Sequence, residues 1–222
     1  MFYTRMPEEL FINPNEPNPN FMVYKEEARK IILKALGGKS NCFWLQGKTG
    51  MGKTTFLLWI NEFAHHYKIL PLYFHGGADL KFEEFKETIE KETRASFFSR
   101  VFLRKEYIEK PILLMIDDVD YITDDSIIKF VVSKLDDEKL HISVVLASVE
   151  PIDKFKEYLR GRDVEKMSLE MPSVDVLMEM VRKRIEAGGG EDFQPFGKQL
   201  VKDIIESAST VREILVKLEE AL

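Results

Sequence analysis

The chain has a single cysteine, Cys42, in 222 residues, which excludes an internal disulfide and fits a reducing compartment. Cys42 sits in an apolar run, where a thiol acts as a small hydrophobe. No apolar run approaches the ~20 residues needed to span a bilayer. The opening Met-Phe-Tyr-Thr-Arg-Met-Pro-Glu-Glu lacks the apolar core of a secretory leader. A soluble, cytoplasmic protein without membrane contact is expected. The net charge of −6 excludes a globally basic chain, so any nucleic-acid contact must come from a local patch. Internal repeats are also absent. With 45% hydrophobic residues, the composition is ordinary for a globular protein with a core of its own.

The most informative segment is Gly47-Lys48-Thr49-Gly50-Met51-Gly52-Lys53-Thr54, a complete G-x-x-x-x-G-K-[ST] phosphate loop. Its glycines let backbone N–H groups curl around a polyphosphate. Lys53 can reach the β- and γ-phosphates, and the Thr54 hydroxyl can ligate Mg²⁺. Thr55 opens the helix whose positive end faces the same phosphates. The context agrees, because Cys42–Gln46 is a short β-forming run before the loop and residues 55–63 read as a mostly buried helix.

Downstream, Leu113-Leu114-Met115-Ile116-Asp117-Asp118 is a buried strand ending in two carboxylates. Asp117 is expected to orient the Mg²⁺ shell and Asp118 to polarise the attacking water. Asp120 reads as a surface or helix-start acid. A guanine-reading Asn-Lys-x-Asp motif is absent, so ATP is favoured over GTP. A small-molecule kinase finds no second basic pocket in the sequence.

Between these landmarks the pattern alternates. Residues 1–12 form a short arm carrying Phe2, Tyr3, Leu10, Phe11 and Ile12, read as packed on the domain, with partner docking as the alternative. The Pro/Asn tract 13–20 is a linker or extended strap. Helices are expected at 25–36, from the phosphate loop to about 67, at 80–92 and at 126–135, with strands at 42–46, 69–74, 112–116, 142–147 and 164–169. This alternation implies a parallel sheet covered on both faces. After Pro172 strands stop, and three apolar helical faces follow, around Leu177/Val181/Ile185, Leu200/Val201/Ile204/Ile205 and Val211/Ile214/Leu215/Leu218. The expected organisation is an arm and linker over 1–20, a nucleotide-binding α/β domain over 21–171 and a helical lid over 172–222. His65 and His66 have no partner at metal-ligand spacing and are assigned to a helix surface. Trp44 and Trp59 are assigned to the core.

On these residues the chain resembles an AAA+ ATPase, and within that group the DnaA-type initiators, helicase loaders such as DnaC and the IstB transposition ATPases. The phosphate loop and the Leu113–Asp118 strand carry part of the resemblance. Leu159-Arg160-Gly161-Arg162 is similar to the family's Leu-Arg-Ser-Arg segment, and Ser209-Thr210-Val211-Arg212-Glu213-Ile214 to its Asn-Val-Arg-Glu-Leu element. The resemblance implies a three-layer fold with a five-stranded parallel sheet in the order 5-1-4-3-2 and a small all-helical lid. It implies ATP and Mg²⁺ as ligands and ATP hydrolysis in a self-assembled oligomer. Arg162 would reach a neighbouring subunit's γ-phosphate, with Arg160 next in line, and Arg212 would contact the phosphates of its own subunit. Where the family commonly has Asn, Asp or Thr to orient water, this chain has Val149 preceded by Ser148, so slow hydrolysis with Ser148 in that role is expected. No DNA-binding domain of the DnaA kind is expected.

The implied function is a DNA transaction, replication initiation or helicase loading, with single-stranded DNA, and a helicase or recombinase as possible partner. The alternative is an ATP-dependent switch for a protein partner such as a transposase-type recombinase or a transcription regulator. For DNA contact the candidates are Arg94, Arg100, Arg104 and Lys105, interleaved with Phe97, Phe98 and Phe102. The competing reading of this segment is an amphipathic helix that buries Phe97, Phe98, Val101 and Phe102.

Overall fold

A computed structural model of the chain describes residues 16–221. The N-terminal arm, residues 1–12, and its proposed docking role lie outside the described residues. Five strands form one sheet: β1 (Cys42–Gln46), β2 (Leu70–His75), β3 (Ile112–Asp117), β4 (Ile142–Ser148) and β5 (Val164–Ser168). Their order is β2-β3-β4-β1-β5 and every pairing is parallel. This is the expected order read from the other edge.

Burial explains the placement. β3 and β4 are buried at every position, as continuous apolar strands must be when both sheet faces are covered. β5 runs Val-Glu-Lys-Met-Ser and is only partly buried, which suits an edge. The connecting helices are α1 (Lys25–Leu36), α2 (Lys53–Phe63), α3 (Phe82–Thr93), α4 (Phe97–Phe102), α5 (Asp125–Leu135) and α6 (Asp153–Tyr158). The helix after the phosphate loop ends four residues early, passing at Ala64 into a 3-10 turn that closes on Lys68 at φ 59°. Helix α6 goes beyond the sequence expectation; at six residues its apolar pattern is too short to register as a period. β3 runs one residue further than expected, so Asp117 itself lies in the strand.

The described chain falls into two compact units. One comprises residues 26–47 and 59–168 and contains the whole sheet. Its core includes Trp44, Phe85, Leu114, Ile116, Val131, Val144, Leu146 and Phe155. The other comprises residues 16–25, 48–58 and 169–221. It holds α7 (Val174–Ala187), α8 (Lys198–Ser207) and α9 (Val211–Glu220), packed through Leu177, Val181, Ile185, Val201, Ile205, Ile214 and Leu218. Fully burying such a side chain contributes roughly 1.5–3 kcal/mol. The strap before α1 belongs to this unit. Phe21 and Val23 pack on its core, the Phe21 ring lies 4.6 Å from the Arg184 guanidinium, and the Tyr24 hydroxyl donates to the Glu170 carbonyl at 3.0 Å.

Candidate nucleotide site

In the unit that holds α7 to α9, Lys48–Leu58 carries the phosphate loop. Gly50 and Gly52 take φ of +87° and +90°, a region that L side chains rarely adopt. Gly50 is also sterically pinned, since a Cβ there would sit 2.9 Å from the Arg212 Cβ and 3.1 Å from the Thr210 hydroxyl oxygen. The Met51 N–H closes on the Lys48 carbonyl at 3.1 Å, and the Phe56 N–H reaches the Gly52 carbonyl at 2.9 Å, which starts the helix. Lys53 is the first residue of α2 and is buried. Thr54 and Thr55 are half-buried behind it, while Lys48 and Thr49 are exposed. Backbone donors at a helix start and a lysine beside them form a cradle suited to a polyphosphate.

Arg212 is brought to this loop by its backbone. Its N–H donates to the Gly50 carbonyl at 2.9 Å. The start of α9 is fixed by a capping arrangement: the Thr210 hydroxyl accepts from the Glu213 N–H at 3.1 Å, and the Glu213 carboxylate turns back to the Ser209 N–H and hydroxyl, each at 2.8 Å. Ser/Thr at the cap with Glu three residues on is a sequence-readable helix start. Lys217 and these Ser209 contacts hold the Glu213 pKa down at about 2, so the cap is fully charged at neutral pH.

In the sheet unit, Asp117 ends β3 fully buried. One carboxylate oxygen accepts from the Asp118 N–H at 2.9 Å and the other from the Tyr73 hydroxyl at 3.3 Å. Burial, followed by the charge of Asp117, pushes the Tyr73 phenol well above its usual pKa, so it stays a donor. Asp118 adopts a left-handed backbone, φ 45° and ψ 44°, unusual for a residue other than glycine. This brings a carboxylate oxygen to 3.9 Å from Nδ1 of His75, which pairs with Asp117 in the β2–β3 register. The next residue, Gly76, donates its N–H to the Asp117 carbonyl at 2.8 Å. A Cβ at Gly76 would lie 2.5 Å from that oxygen, so only glycine permits this approach. His75 was missed in the sequence; its signal is only its place at a strand end beside another strand's acid.

Asp120 is more than a surface acid: its carboxylate accepts from the Val149 N–H at 3.0 Å, tying the turn after β3 to the end of β4. The expectation for Ser148 is corrected. Its hydroxyl oxygen is fully buried and accepts from the Trp44 indole N–H at 2.6 Å, which makes it a brace inside the sheet rather than a group presented to water. Its backbone carbonyl accepts from the Gly47 N–H at 3.3 Å.

Arg162 precedes β5 and pairs with Asp136 at the end of α5; its guanidinium also donates to the Tyr158 carbonyl at 3.4 Å. Arg160 is exposed. Cys42, at the start of β1, is buried, and burial pushes its thiol up to about 12 against a smaller opposing effect of Arg162.

The segment 94–105 also departs from expectation. It forms the short helix α4, but Phe97, Phe98, Val101 and Phe102 are 72%, 61%, 54% and 66% exposed, so the buried-face reading is overturned. The Phe98 and Phe102 rings lie against each other at 4.6 Å. Six residues offer too little length to wedge a stripe into the core, and Ser96 caps the helix start by accepting from the Ser99 N–H at 3.2 Å. Of the cations, Arg94 and Arg100 line a cavity of about 600 Å³ together with Glu87, Glu90 and Glu106. Lys105 pairs with Glu109. Arg104 is exposed at φ 53°.

Among the described residues, no helix is long and apolar enough to cross a membrane. No family model and no curated protein matches the sequence. Solved structures do. Domain III of the Thermotoga maritima replication initiation protein DnaA superposes with a TM-score of 0.56 at 18% identity, over 92% of this chain and 88% of that one. The replication initiator DnaA bound to AMPPCP and single-stranded DNA gives 0.55 at 18%, over 93% and 66%. The Thermotoga maritima RuvB Holliday junction branch migration motor gives 0.51 at 15%, over 99% and 72%. This chain thus spans about two thirds of the length of the DNA-bound initiator. The likeness establishes the fold, that of the AAA+ domains of DnaA and RuvB.

Proposed function

We propose that the chain is an ATP-dependent AAA+ module, with residues 172–222 as its lid, that hydrolyses ATP to ADP and phosphate in an oligomer engaged in a DNA transaction. The observation that carries this reading is the phosphate loop held in left-handed glycine geometry with the Gly50 carbonyl on the Arg212 N–H. A loop built only as a structural turn has no need of a buried lysine at the following helix start.

Lys53 would bind the β- and γ-phosphates, and Arg212 would couple the lid to them. The donor set fits Mg²⁺, a hard cation taking oxygen ligands: the Thr54 hydroxyl and the Asp117 carboxylate would hold it, neutralising phosphate charge. Asp118 would take the proton of the attacking water. Arg162 would act on the nucleotide of a neighbouring subunit. For DNA, the exposed rings of α4 offer stacking faces for single-stranded bases, with Arg104 the cation best placed for phosphate; the initiator bound to single-stranded DNA has this fold. Replication initiation or helicase loading is the reaction context we favour.

One observation favours a second reading. With Ser148 enclosed by Trp44 and Val149 beyond it, the usual water-orienting position lacks a suitable side chain, which suits an ATP switch acting on a protein such as a transposase-type recombinase or a transcription regulator.

The test compares Lys53→Ala with Asp118→Asn. Lys53→Ala should abolish ATP binding, while Asp118→Asn should bind ATP and lose turnover, because one group acts on ground-state phosphates and the other on the attacking water. Equal loss of affinity in both removes Asp118 from the base role. Binding without turnover in the unmodified protein, with or without single-stranded DNA, selects the switch.

A further inference from the structure

We propose that the cavity lined by α3, α4 and α5 binds a phosphate monoester with a hydroxylated organic body, of the size of a sugar phosphate or nucleoside monophosphate. It lies wholly within the sheet unit, shares no residue with the phosphate loop, and holds two of the cations that the sequence put forward for DNA.

The chain sets its walls. Glu87, Glu90, Lys91 and Arg94 recur at the spacing of one helical face, and all four line a cavity of about 600 Å³. Arg100 comes from α4, Lys134 from α5, and Glu106 from the stretch after α4. Backbone bonds fix these pieces. The Ala95 N–H donates to the Glu106 carbonyl, the Ile108 N–H to the Thr93 carbonyl and the Arg100 N–H to the Ser96 carbonyl, each at 3.0 Å. The volume falls within the range of small-molecule sites, about 300–1,000 Å³, and exceeds what a lone inorganic ion fills.

The decisive group is Arg100. Its guanidinium Nε is buried and has no hydrogen-bond partner, and a desolvated donor is costly to leave without an acceptor. The charges around it are also held apart. Among the described residues, none of Lys91, Arg94, Arg100 and Lys134 is in an ion pair. Lys134 lies instead over the Tyr107 and Phe130 rings, 5.6 and 5.1 Å from their centroids. Glu106 is compensated by Lys139 at 3.2 Å, a residue that does not line the cavity. Four cations against Glu87 and Glu90 leave two positive charges in excess.

That excess decides the class of ligand. A phosphate monoester carries about −1.5 to −2 at neutral pH, whereas a phosphodiester or a single carboxylate carries one charge. The guanidinium forks of Arg94 and Arg100 suit phosphate oxygens. Glu90 and Glu87 precede Arg94 by roughly 6 and 10 Å along α3. As carboxylates they only accept hydrogen bonds, so the part of the ligand that meets them carries hydroxyl or N–H donors, as a sugar does.

Ribose 5-phosphate is the probe, added to the full chain without nucleotide, and backbone amide NMR reads where it binds. Shifts should gather over residues 87–107 and saturate at millimolar concentration or below. Arg100→Gln and Arg94→Gln, each with unchanged thermal melting, should weaken binding by at least about tenfold, the loss of one charge-assisted bond. Inorganic phosphate should bind at least about tenfold more weakly than the ester, because it has no body to meet Glu87 and Glu90. A 5′-phosphorylated oligonucleotide that displaces the probe, where its unphosphorylated form does not, makes a strand end the source of the ester; no displacement by either makes it a free ester. The inference is overturned if millimolar probe moves no amide in 87–107, if both arginine variants bind like the unmodified protein, or if inorganic phosphate binds as tightly as the ester, an adventitious ion only. Lys53→Ala should leave the shifts over 87–107 in place. ATP binding without them therefore sinks only the cavity site, and the shifts without ATP binding sink only the nucleotide function.

Discussion

In the unit that holds the phosphate loop and α7 to α9 the residues proposed to meet nucleotide are set by the main chain, whereas in the sheet unit the corresponding residues are set by side-chain neighbours. Gly50 and Arg212 meet through a carbonyl and an N–H, behind a helix start fixed by Thr210 and Glu213. Asp117 leans on Tyr73, Asp118 faces His75, Ser148 is taken by Trp44 and Arg162 by Asp136. Main-chain geometry is preorganised and costs little to use. Side-chain pairs must be exchanged before the same group can serve a ligand or a second subunit. On the proposed function, the sheet unit is therefore where a partner or an assembly step would act.

The largest effect should test that contrast at Arg162. Its release from Asp136 is required if it acts in trans, so Arg162→Ala should bind ATP normally and lose hydrolysis by on the order of 10³-fold. Mixed with Lys53→Ala, which keeps a good arginine, it should regain activity that rises with protein concentration. Steady-state phosphate release, with mixed oligomers verified by native mass, decides. Asp136→Ala should not lower hydrolysis, since an exposed pair is worth at most about 1 kcal/mol; a loss as large as that of Arg162→Ala would make the pair structural.

A smaller effect is expected at α4, whose rings are exposed although their spacing matches a buried stripe. Phe98→Ala should weaken single-stranded DNA binding by about 1–3 kcal/mol, the range for one base on an aromatic ring, without changing its salt dependence. Arg104→Ala should reduce the salt slope by roughly 0.7. Fluorescence anisotropy across a salt series separates the two, and no loss in either variant places DNA elsewhere.

At the start of α9, Thr210→Ala should cost about 1 kcal/mol of stability, as for other cap removals, measured by denaturant unfolding. A cost near zero would mean that Glu213 and Ser209 hold the helix start without the cap.

A further effect is confined to alkaline pH. The Cys42 thiol has its pKa raised by burial, so its contribution to stability is complete below its ordinary value of 9.0 and is lost as pH rises towards about 12. Cys42→Ala should flatten the stability curve over that window. The native thiol should resist alkylation at pH 8 and react once denatured; rapid native alkylation would contradict the burial.

The contrast between α4 and α9 shows how far the sequence could be read. Both carry apolar residues at helical spacing. In α9 Ile214, Leu215 and Leu218 are buried, while in α4 the rings face outward. Periodicity defines a face, but what covers it depends on elements distant in the chain. His75 was invisible for the same reason: β2 and β3 are separated by two helices, and only the parallel register sets His75 against Asp117.

What the sequence determined by itself is local or strongly periodic. Contiguous motifs such as the phosphate loop, the apolar run ending in Asp117 and the Thr210–Glu213 cap carry their own geometry, and alternation of strands with helices implies a parallel sheet. Tertiary structure decided which neighbour occupies each polar side chain: Trp44 on Ser148, Asp136 on Arg162, Asp120 on the Val149 N–H. Those pairings join residues 26 to 104 positions apart. They arise from packing and register across the sheet, where desolvation forces each polar group to find a partner, and no local pattern encodes which partner that is.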